Sequence, residues 1–166
     1  MLYIKKGRLY TASFSFTLPE GVSIDTNSDN LYPDTIAFQT KDGSFDIEIG
    51  VGVDFNRQPP NIRIEEIMRA DCFVPLTAPI KVNRDGMVGL GLYYRSNAWD
   101  DEYYEEFLEY PENKDGQYTF TLCFVHRVKD ESERNGIDAF MNKPNIKQFI
   151  ESIRYNPEEC KKAIDN

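Results

Sequence analysis

The chain has 166 residues, of which 40% are hydrophobic and 13% aromatic, enough to bury one substantial core. Nineteen basic residues against 28 acidic ones leave a formal charge of −9, which repels phosphate backbones and anionic lipid headgroups. We therefore expect one domain over residues 1–166, no nucleic-acid partner and no membrane insertion. The start of the chain has no continuous apolar run of the signal-peptide kind, so we expect a cytoplasmic protein.

Alternating apolar and polar side chains predict strands in the first third of the chain. Residues 10–18 alternate in this way and are predicted to form one half-buried strand. A second strand is predicted around residues 36–38, and the Lys-Asp-Gly-Ser turn at 41–44 leads into a return strand over 45–53. The three segments predict a sheet that contains a hairpin.

The middle of the chain is predicted to add a helix and a second hairpin. Apolar residues recur at helical spacing over about 61–72. Beyond that helix, a short strand at 80–82, a turn at 83–86 and an alternating strand at 88–94 form the second predicted hairpin. These elements continue the same antiparallel sheet.

The segment 103–110 fits either a helix, because of its glutamates, or a strand, because of its imperfect alternation. We predict a strand. The reason is the strong alternation of residues 118–124, which needs a neighbouring strand, and the loop at 111–116 suits a hairpin between the two. The predicted sheet then has about six or seven strands.

Two helices are predicted to close the chain. Apolar residues at i, i+3, i+4 and i+7 from Ile146 to Ile153 predict an amphipathic helix that covers the sheet. Asn156 and the proline that follows it predict the start of a short helix over about 157–164. The whole pattern indicates an α+β fold, with a mostly antiparallel sheet flanked by helices.

This order of elements resembles the PsbP-like and Mog-type proteins, including the DcrB-like family. The features that carry the resemblance are the segments FSFTLPEG (14–21), RDGMVGLGLYYRS (84–96), GQYTFTLCF (116–124) and IKQFIESIRY (146–155). The resemblance implies a PsbP/Mog-like sandwich of an antiparallel sheet between helices. It also implies a non-enzymatic role, as partner of a small GTPase, extrinsic subunit of a membrane complex or chaperone for secreted effectors.

No pattern in the sequence predicts catalytic, cofactor-binding or metal-ligating residues. The cysteines Cys72, Cys123 and Cys160 are odd in number and form no C-x-x-C pair, so we expect free thiols. Zinc takes about four ligands, and His126 is the one histidine. It shares a strand face with apolar residues and points away from Cys123, which indicates a structural histidine.

Three further patterns resemble ligand motifs but are interpreted as structural. The D-x-N-x-D stretch from Asp25 begins like a calcium loop, but it lacks the glycine and the bidentate glutamate that such a loop needs, so we expect a solvated loop. The glycine pairs at 50/52 and 89/91 lie inside predicted strands and lack the third glycine of a dinucleotide fingerprint. Close strand packing is the favoured interpretation.

The candidate binding surface is the acidic, aromatic stretch around residues 99–112. Aromatic side chains supply contact area at an interface, and carboxylates attract a basic partner protein. The candidate residues are Trp99, Asp100, Asp101, Tyr103, Tyr104, Glu105, Glu106, Phe107, Glu109 and Tyr110. The alternative is a solvated strand and loop that protect a sheet edge from aggregation.

The leading hypothesis is a non-catalytic protein-binding domain that uses this acidic, aromatic stretch and needs no cofactor. A second hypothesis is a chaperone or adaptor that cradles an apolar segment of a partner on an exposed sheet face, which would require a large apolar patch. A third is a small-ligand-binding protein or an enzyme, which would require a pocket with converging polar groups.

Overall fold

The computed structural model describes residues 3–24, 34–53, 59–98, 100–109 and 118–166. Within these residues, twelve strands pair into two antiparallel sheets. The strands are β1 (Tyr3–Lys5), β2 (Arg8–Tyr10), β3 (Phe14–Phe16), β4 (Val22–Ile24), β5 (Asp34–Thr40), β6 (Phe45–Val53), β7 (Phe73–Pro75), β8 (Ile80–Arg84), β9 (Met87–Ser96), β10 (Glu102–Glu109), β11 (Tyr118–His126) and β12 (Arg154–Tyr155). The helices are α1 (Pro60–Arg69), α2 (Gly136–Met141), α3 (Pro144–Ser152) and α4 (Pro157–Asp165).

The larger sheet has the order β4-β5-β6-β11-β10-β9-β7, with β8 also paired to β9. The smaller sheet has the order β1-β2-β3-β12. The predicted α+β class with an antiparallel sheet is confirmed. The strand count is higher than the predicted six or seven because strands of two or three residues are too short to show alternation.

The predicted single strand over residues 10–18 is wrong. A turn at residues 11–13 separates β2 from β3, which then pair with each other through Leu9–Phe16 and Tyr10–Ser15. The Thr11 hydroxyl oxygen accepts the backbone N–H of Phe14 at 3.1 Å and donates to the Phe14 carbonyl at 3.0 Å. This turn contains neither glycine nor proline, so the alternating pattern runs through it without a visible break.

The other predicted elements are present with small changes at their ends. The hairpin turns at 41–44 and 83–86 place Gly43 and Gly86 at positive φ, where glycine carries no steric cost. Helix α1 ends at residue 69, earlier than predicted, because the backbone of Ala70 is extended. The Asn156 side chain accepts the N–H of Glu159 at 3.1 Å and caps α4, as predicted.

One core cluster joins the two sheets on a single face of the larger sheet. Its fully buried aromatic side chains come from both sheets and from α3: Phe14, Phe16, Phe38, Phe120, Phe124 and Phe149. Phe16 of the smaller sheet meets Phe38 and Phe149 edge-on, with ring centroids 5.3 and 5.7 Å apart. Such aromatic burial supplies much of the hydrophobic stabilisation that holds the layers together.

Helix α1 packs against the opposite face of the larger sheet, over β9 and β10. There Ile64 forms a second apolar cluster with Leu92, Tyr94 and Phe107. None of the helices in the described residues has the length and apolar character needed to cross a bilayer. The predicted loops that begin at Asp25 and at residue 111 lie outside the described residues.

Candidate functional site

The acidic, aromatic stretch forms a central strand rather than an edge. Strand β10 pairs over its full length with β9 on one side and β11 on the other. The alternative interpretation of a protected sheet edge is therefore wrong for residues 102–109. Because successive side chains of a strand point to opposite faces, β10 presents its candidate residues in two separate sets.

The inward set is buried and held in a polar network. Glu106 is 0% exposed, and both of its oxygens bind Arg84, from Nε at 3.0 Å and from Nη2 at 2.7 Å. The Tyr104 hydroxyl, which is also buried, donates to the same carboxylate. Tyr104 and Glu106 were predicted to face a partner, and the structure instead places them in the interior as structural residues.

Glu102 is a second buried carboxylate on the same face, and sequence reasoning missed it. It lies 2.7 Å from Nδ1 of His126 and accepts the backbone N–H groups of Asn135 at 2.5 Å and Ile137 at 3.3 Å. A Cβ on Gly136 would come within 2.4 Å of the His126 ring, so the loop packs tightly there. The prediction that His126 points to the core face is confirmed, since the residue is 4% exposed.

The glycine pair at 89/91 is confirmed as a site of close packing on the β9–β10 ladder. A Cβ at Gly89 would lie 1.9 Å from the Phe107 carbonyl oxygen, and a Cβ at Gly91 would lie 2.7 Å from the Tyr104 hydroxyl. A side chain at position 89 would push β9 away from the β10 backbone, whereas one at position 91 would displace the buried Tyr104 ring.

The outward set faces α1. The Tyr103 and Tyr94 rings stack with centroids 4.8 Å apart, and the Tyr94 hydroxyl donates to Glu105 at 2.5 Å. Phe107 is only 3% exposed because α1 covers it, and the Arg63 guanidinium lies 5.6 Å from its ring centroid. Of the outward residues, Glu105 thus combines a carboxylate with aromatic neighbours.

A groove runs between α1 and this face of the sheet. We call it the α1 groove, and its volume is about 310 Å³. Its lining residues come from α1, β7, β9 and β10, and they are Arg63, Glu66, Ile67, Phe73, Tyr94, Glu105 and Phe107. Apolar and aromatic walls therefore enclose a carboxylate, with one cation and a second carboxylate contributed by α1.

A row of acidic groups crosses the sheet beside the α1 groove. The strand register places Glu48 of β6 opposite Cys123 of β11, and Cys123 opposite Glu105 of β10. Burial raises the pKa of Glu105, while the Tyr94 hydroxyl and the Arg63 charge oppose that rise. Glu48 is exposed at its surface, and partial desolvation still raises its pKa. Burial, together with the neighbouring Glu105 charge, raises the pKa of the Cys123 thiol. We call Glu48, Cys123 and Glu105 the acidic row.

The remaining candidate residues do not line the α1 groove. Asp100 is exposed and lies 3.8 Å from Arg134, and Asp101 is half-buried, which raises its pKa. Glu109 is half-buried near the other end of β10. The predictions for Trp99 and Tyr110 lie outside the described residues. Of the described candidate residues, Glu105 and Phe107 line the α1 groove, and Tyr103 stacks on Tyr94, another lining residue.

None of the three cysteines, Cys72, Cys123 and Cys160, forms a disulfide. Among the described residues, no group of three or more His, Cys, Asp or Glu side chains is arranged to hold a metal ion.

Comparison with known proteins finds solved structures that are similar to this chain in fold but not in sequence. No protein-family model matches the chain, and no curated protein matches it. A solved structure from Bacteroides thetaiotaomicron VPI-5482 shares 10% identity, with a TM-score of 0.48 over 92% of this chain. The alignment covers 49% of that protein, so the chain spans about half of its length.

A second solved structure is that of LpqN from Mycobacterium tuberculosis, described as involved in cell envelope biogenesis. It shares 11% identity with this chain, with a TM-score of 0.47, and the alignment covers 87% of this chain and 83% of LpqN. At these scores neither likeness carries an argument about family or activity.

Proposed function

We propose that the protein is a non-catalytic protein-binding domain whose interface is the α1 groove with the adjoining acidic row. Its partner is a basic protein that inserts a lysine or arginine side chain beside Glu105. The observation that carries this proposal is a half-buried carboxylate with a raised pKa on the floor of an aromatic groove.

The charges around the groove favour a cation. Arg63 forms its ion pair with Glu66, at 3.9 Å. Within the described part of the chain, neither Glu48 nor Glu105 forms an ion pair. Glu105 has lost hydration, and the Arg63 charge and the Tyr94 hydroxyl offset that loss only in part, so its charged form is destabilised. A basic side chain from a partner would supply the missing charge, and the net charge of −9 would speed its approach.

The shape and lining of the groove fit a long basic side chain. Among the aromatic lining residues, Phe73 is half-buried while Tyr94 and Phe107 are buried behind it, and an aromatic face attracts lysine and arginine cations by about 0.5–2 kcal/mol. The alkyl part of such a side chain would contact Ile67, while its charged end would reach Glu105. The partner's side chain would thus make cation–π, apolar and ionic contacts within the α1 groove.

The proposed family and setting are consistent with this role. We include in the proposal the kinship with PsbP-like, Mog-type or DcrB-like proteins, supported by the antiparallel sheet and the closing helix α3. A cytoplasmic setting is also proposed, because cysteines without disulfides suit a reducing compartment. The chaperone alternative gains less support: in the described residues the exposed large apolar side chains, Ile4, Met68, Ile80 and Val88, lie on four different elements.

The test uses the smallest probe that carries the proposed chemistry. Backbone NMR spectra of the ¹⁵N-labelled full chain would be recorded with N-acetyl-arginine amide and with its neutral isostere, N-acetyl-citrulline amide. We expect the arginine probe to shift the amide signals of residues 63–67 and 105–107, with a Kd on the order of millimolar. The citrulline probe should leave them unchanged, because it keeps the shape and removes the charge.

Matched variants locate the effect. Glu105→Gln removes one charge from the groove, and Glu109→Gln removes one charge from the same face of the same strand outside it. The response to the arginine probe should disappear in Glu105→Gln and persist in Glu109→Gln. Equal responses to both probes, or equal responses in both variants, would rule out recognition of a cation at Glu105.

A further inference from the structure

A second groove has the opposite charge character: basic residues cluster around it, although the chain as a whole is acidic. It runs between the β1–β2 hairpin and α4 and has a volume of about 460 Å³. Four cationic side chains line it, namely Lys5, Lys6, Arg8 and Lys162, with Glu159 as the one acidic lining residue. We call it the basic groove. Tyr10 adds an aromatic wall.

In the part of the chain that the structure describes, none of the four cations of the basic groove forms an ion pair. In the described residues, every ion pair involves other basic side chains: Arg63, Arg69, Arg84, His126, Arg127, Arg134 and Arg154. Arg8 binds neutral oxygens instead, donating from Nε to the Ser15 hydroxyl at 2.9 Å and from Nη2 to the Ser152 carbonyl at 2.6 Å. These bonds fix the guanidinium while its charge stays uncompensated.

The hairpin brings its cations together at an electrostatic cost. Lys6 and Gly7 form the turn with φ of 52° and 77°, and the register places Lys5 directly opposite Arg8. Like charges directly opposite each other on paired strands are destabilising. An anion between them would convert this repulsion into attraction, and Lys162 approaches the same place from α4.

We propose that the basic groove is a binding site for a phosphate-bearing ligand. Several cations around one groove match a multivalent anion better than a single carboxylate. The ammonium groups of Lys5, Lys6 and Lys162 supply the donors, and Arg8, whose Nε and Nη2 bind Ser15 and Ser152, adds positive charge. The groove volume lies within the range of about 300–1,000 Å³ typical of small-ligand sites. The phosphate is carried either by a free small molecule or by a lipid headgroup.

The experiment measures binding of inorganic pyrophosphate to the full chain by calorimetry at low ionic strength, with NMR to locate it at residues 5–8 and 162. The groove variant is Lys5→Gln, Lys6→Gln and Lys162→Gln. The control variant, Lys81→Gln, Lys129→Gln and Lys161→Gln, makes the same change in net charge at exposed lysines outside the groove. We expect the groove variant to bind at least about tenfold more weakly and the control to bind like wild type.

Lipid vesicles separate the two sources of phosphate. Sedimentation with vesicles of phosphatidylcholine alone, and of phosphatidylcholine mixed with phosphatidylglycerol, would run beside the pyrophosphate titration. Pyrophosphate binding alone supports a free ligand, and binding to the anionic vesicles, lost in the groove variant, supports a headgroup.

A charge-preserving variant guards against a folding defect. Lys5→Arg, Lys6→Arg and Lys162→Arg should keep binding if charge is what matters, with thermal unfolding used to check that each variant is folded. Absence of binding to both probes, or equal loss in the groove and control variants, would overturn the assignment. Loss of binding in the folded arginine variant would also overturn it.

Discussion

The two faces of β10 carry the same residue type with opposite consequences. On the inward face, Glu102 and Glu106 each have a cationic or imidazole partner at 2.7 Å. On the outward face, Glu105 accepts a hydrogen bond from Tyr94 and lacks an ion pair among the described residues. One position along the strand therefore separates a carboxylate with a countercharge at ion-pair distance from one without.

The difference follows from what burial demands of charge. A carboxylate removed from water destabilises the fold unless hydrogen bonds and a countercharge replace its hydration. On the inward face, Arg84, Tyr104 and the loop beside His126 supply these hydrogen bonds and the countercharge. The two inward carboxylates therefore stabilise the fold. On the outward face, the Tyr94 hydrogen bond and the Arg63 charge replace only part of the lost hydration of Glu105, so its pKa is raised. The proposed basic partner would bind at Glu105, where hydration is not fully replaced.

The largest difference in stability is expected between the variants Glu106→Lys and Glu109→Lys. Glu106→Lys places an ammonium group at a position with no exposure, beside the Arg84 guanidinium. Breaking a buried ion pair typically costs about 3–5 kcal/mol, and we expect a loss of at least that size in the free energy of unfolding. Glu109→Lys should change it by about 0.5 kcal/mol or less. Urea unfolding of both variants provides the measurement.

Similar unfolding free energies for the two lysine variants would show that the faces do not differ as the structure indicates. The comparison also guides interface mutagenesis. A charge reversal at Glu106 tests folding, whereas a substitution at Glu105 tests the α1 groove. Both positions carry the same residue in the sequence, so only their burial separates the two kinds of experiment.

A smaller effect is expected from Glu102→Ala on the inward face. The substitution leaves the N–H groups of Asn135 and Ile137, and the His126 ring, without their acceptor. A buried polar group that loses its partner costs about 1–3 kcal/mol, so we expect a loss of about 2–3 kcal/mol in the free energy of unfolding. Glu131→Ala, in the exposed turn at residues 131–133, is the control and should stay close to wild type.

Hydrogen exchange makes the Glu102→Ala prediction specific. The amides of Asn135 and Ile137 should exchange faster in this variant, while the amides of the β10–β11 ladder keep their relative protection. Unchanged exchange at both amides would mean that the carboxylate does not anchor this loop.

Much of the fold was predictable because it depends on local periodicity. The alternation of residues 45–53 and 118–124 and the helical spacing from Ile146 to Ile153 each report a face that must be buried, and all three elements are present. The hairpin at 41–44 follows from a glycine that tolerates positive φ. These signals need no knowledge of which elements become neighbours.

The candidate site was less predictable because it depends on strand order. Alternation identifies the two faces of residues 103–110 without saying that β9 and β11 flank them or that α1 covers only one face. The basic groove is harder still, since Lys162 lies at the far end of the chain from the β1–β2 hairpin. A net charge of −9 favours anion repulsion overall, and it does not reveal a local cluster of cations.

The smallest expected effect is a change in the pH dependence of stability in Glu105→Gln. It is also the most specific test of the outward face. Burial raises the pKa of Glu105 in the folded protein above its usual value of 4.5. The folded state therefore holds this proton more tightly than the unfolded state, so ionisation destabilises the fold as pH rises from about 4.5 through the folded pKa. Unfolding free energies at pH 4.5 and 7.5 should show that Glu105→Gln lacks part of the wild-type decline.

Glu109→Gln provides the matched comparison, since it removes a carboxylate from the same face and leaves the α1 groove intact. It should keep the wild-type pH dependence, so that the difference between the two variants isolates Glu105 from every other titrating group. Identical pH dependence in wild type and Glu105→Gln would mean that the carboxylate is fully compensated in the free protein. Glu105 would then have no electrostatic deficit for a basic side chain to relieve, and the reason to place a partner there would be lost.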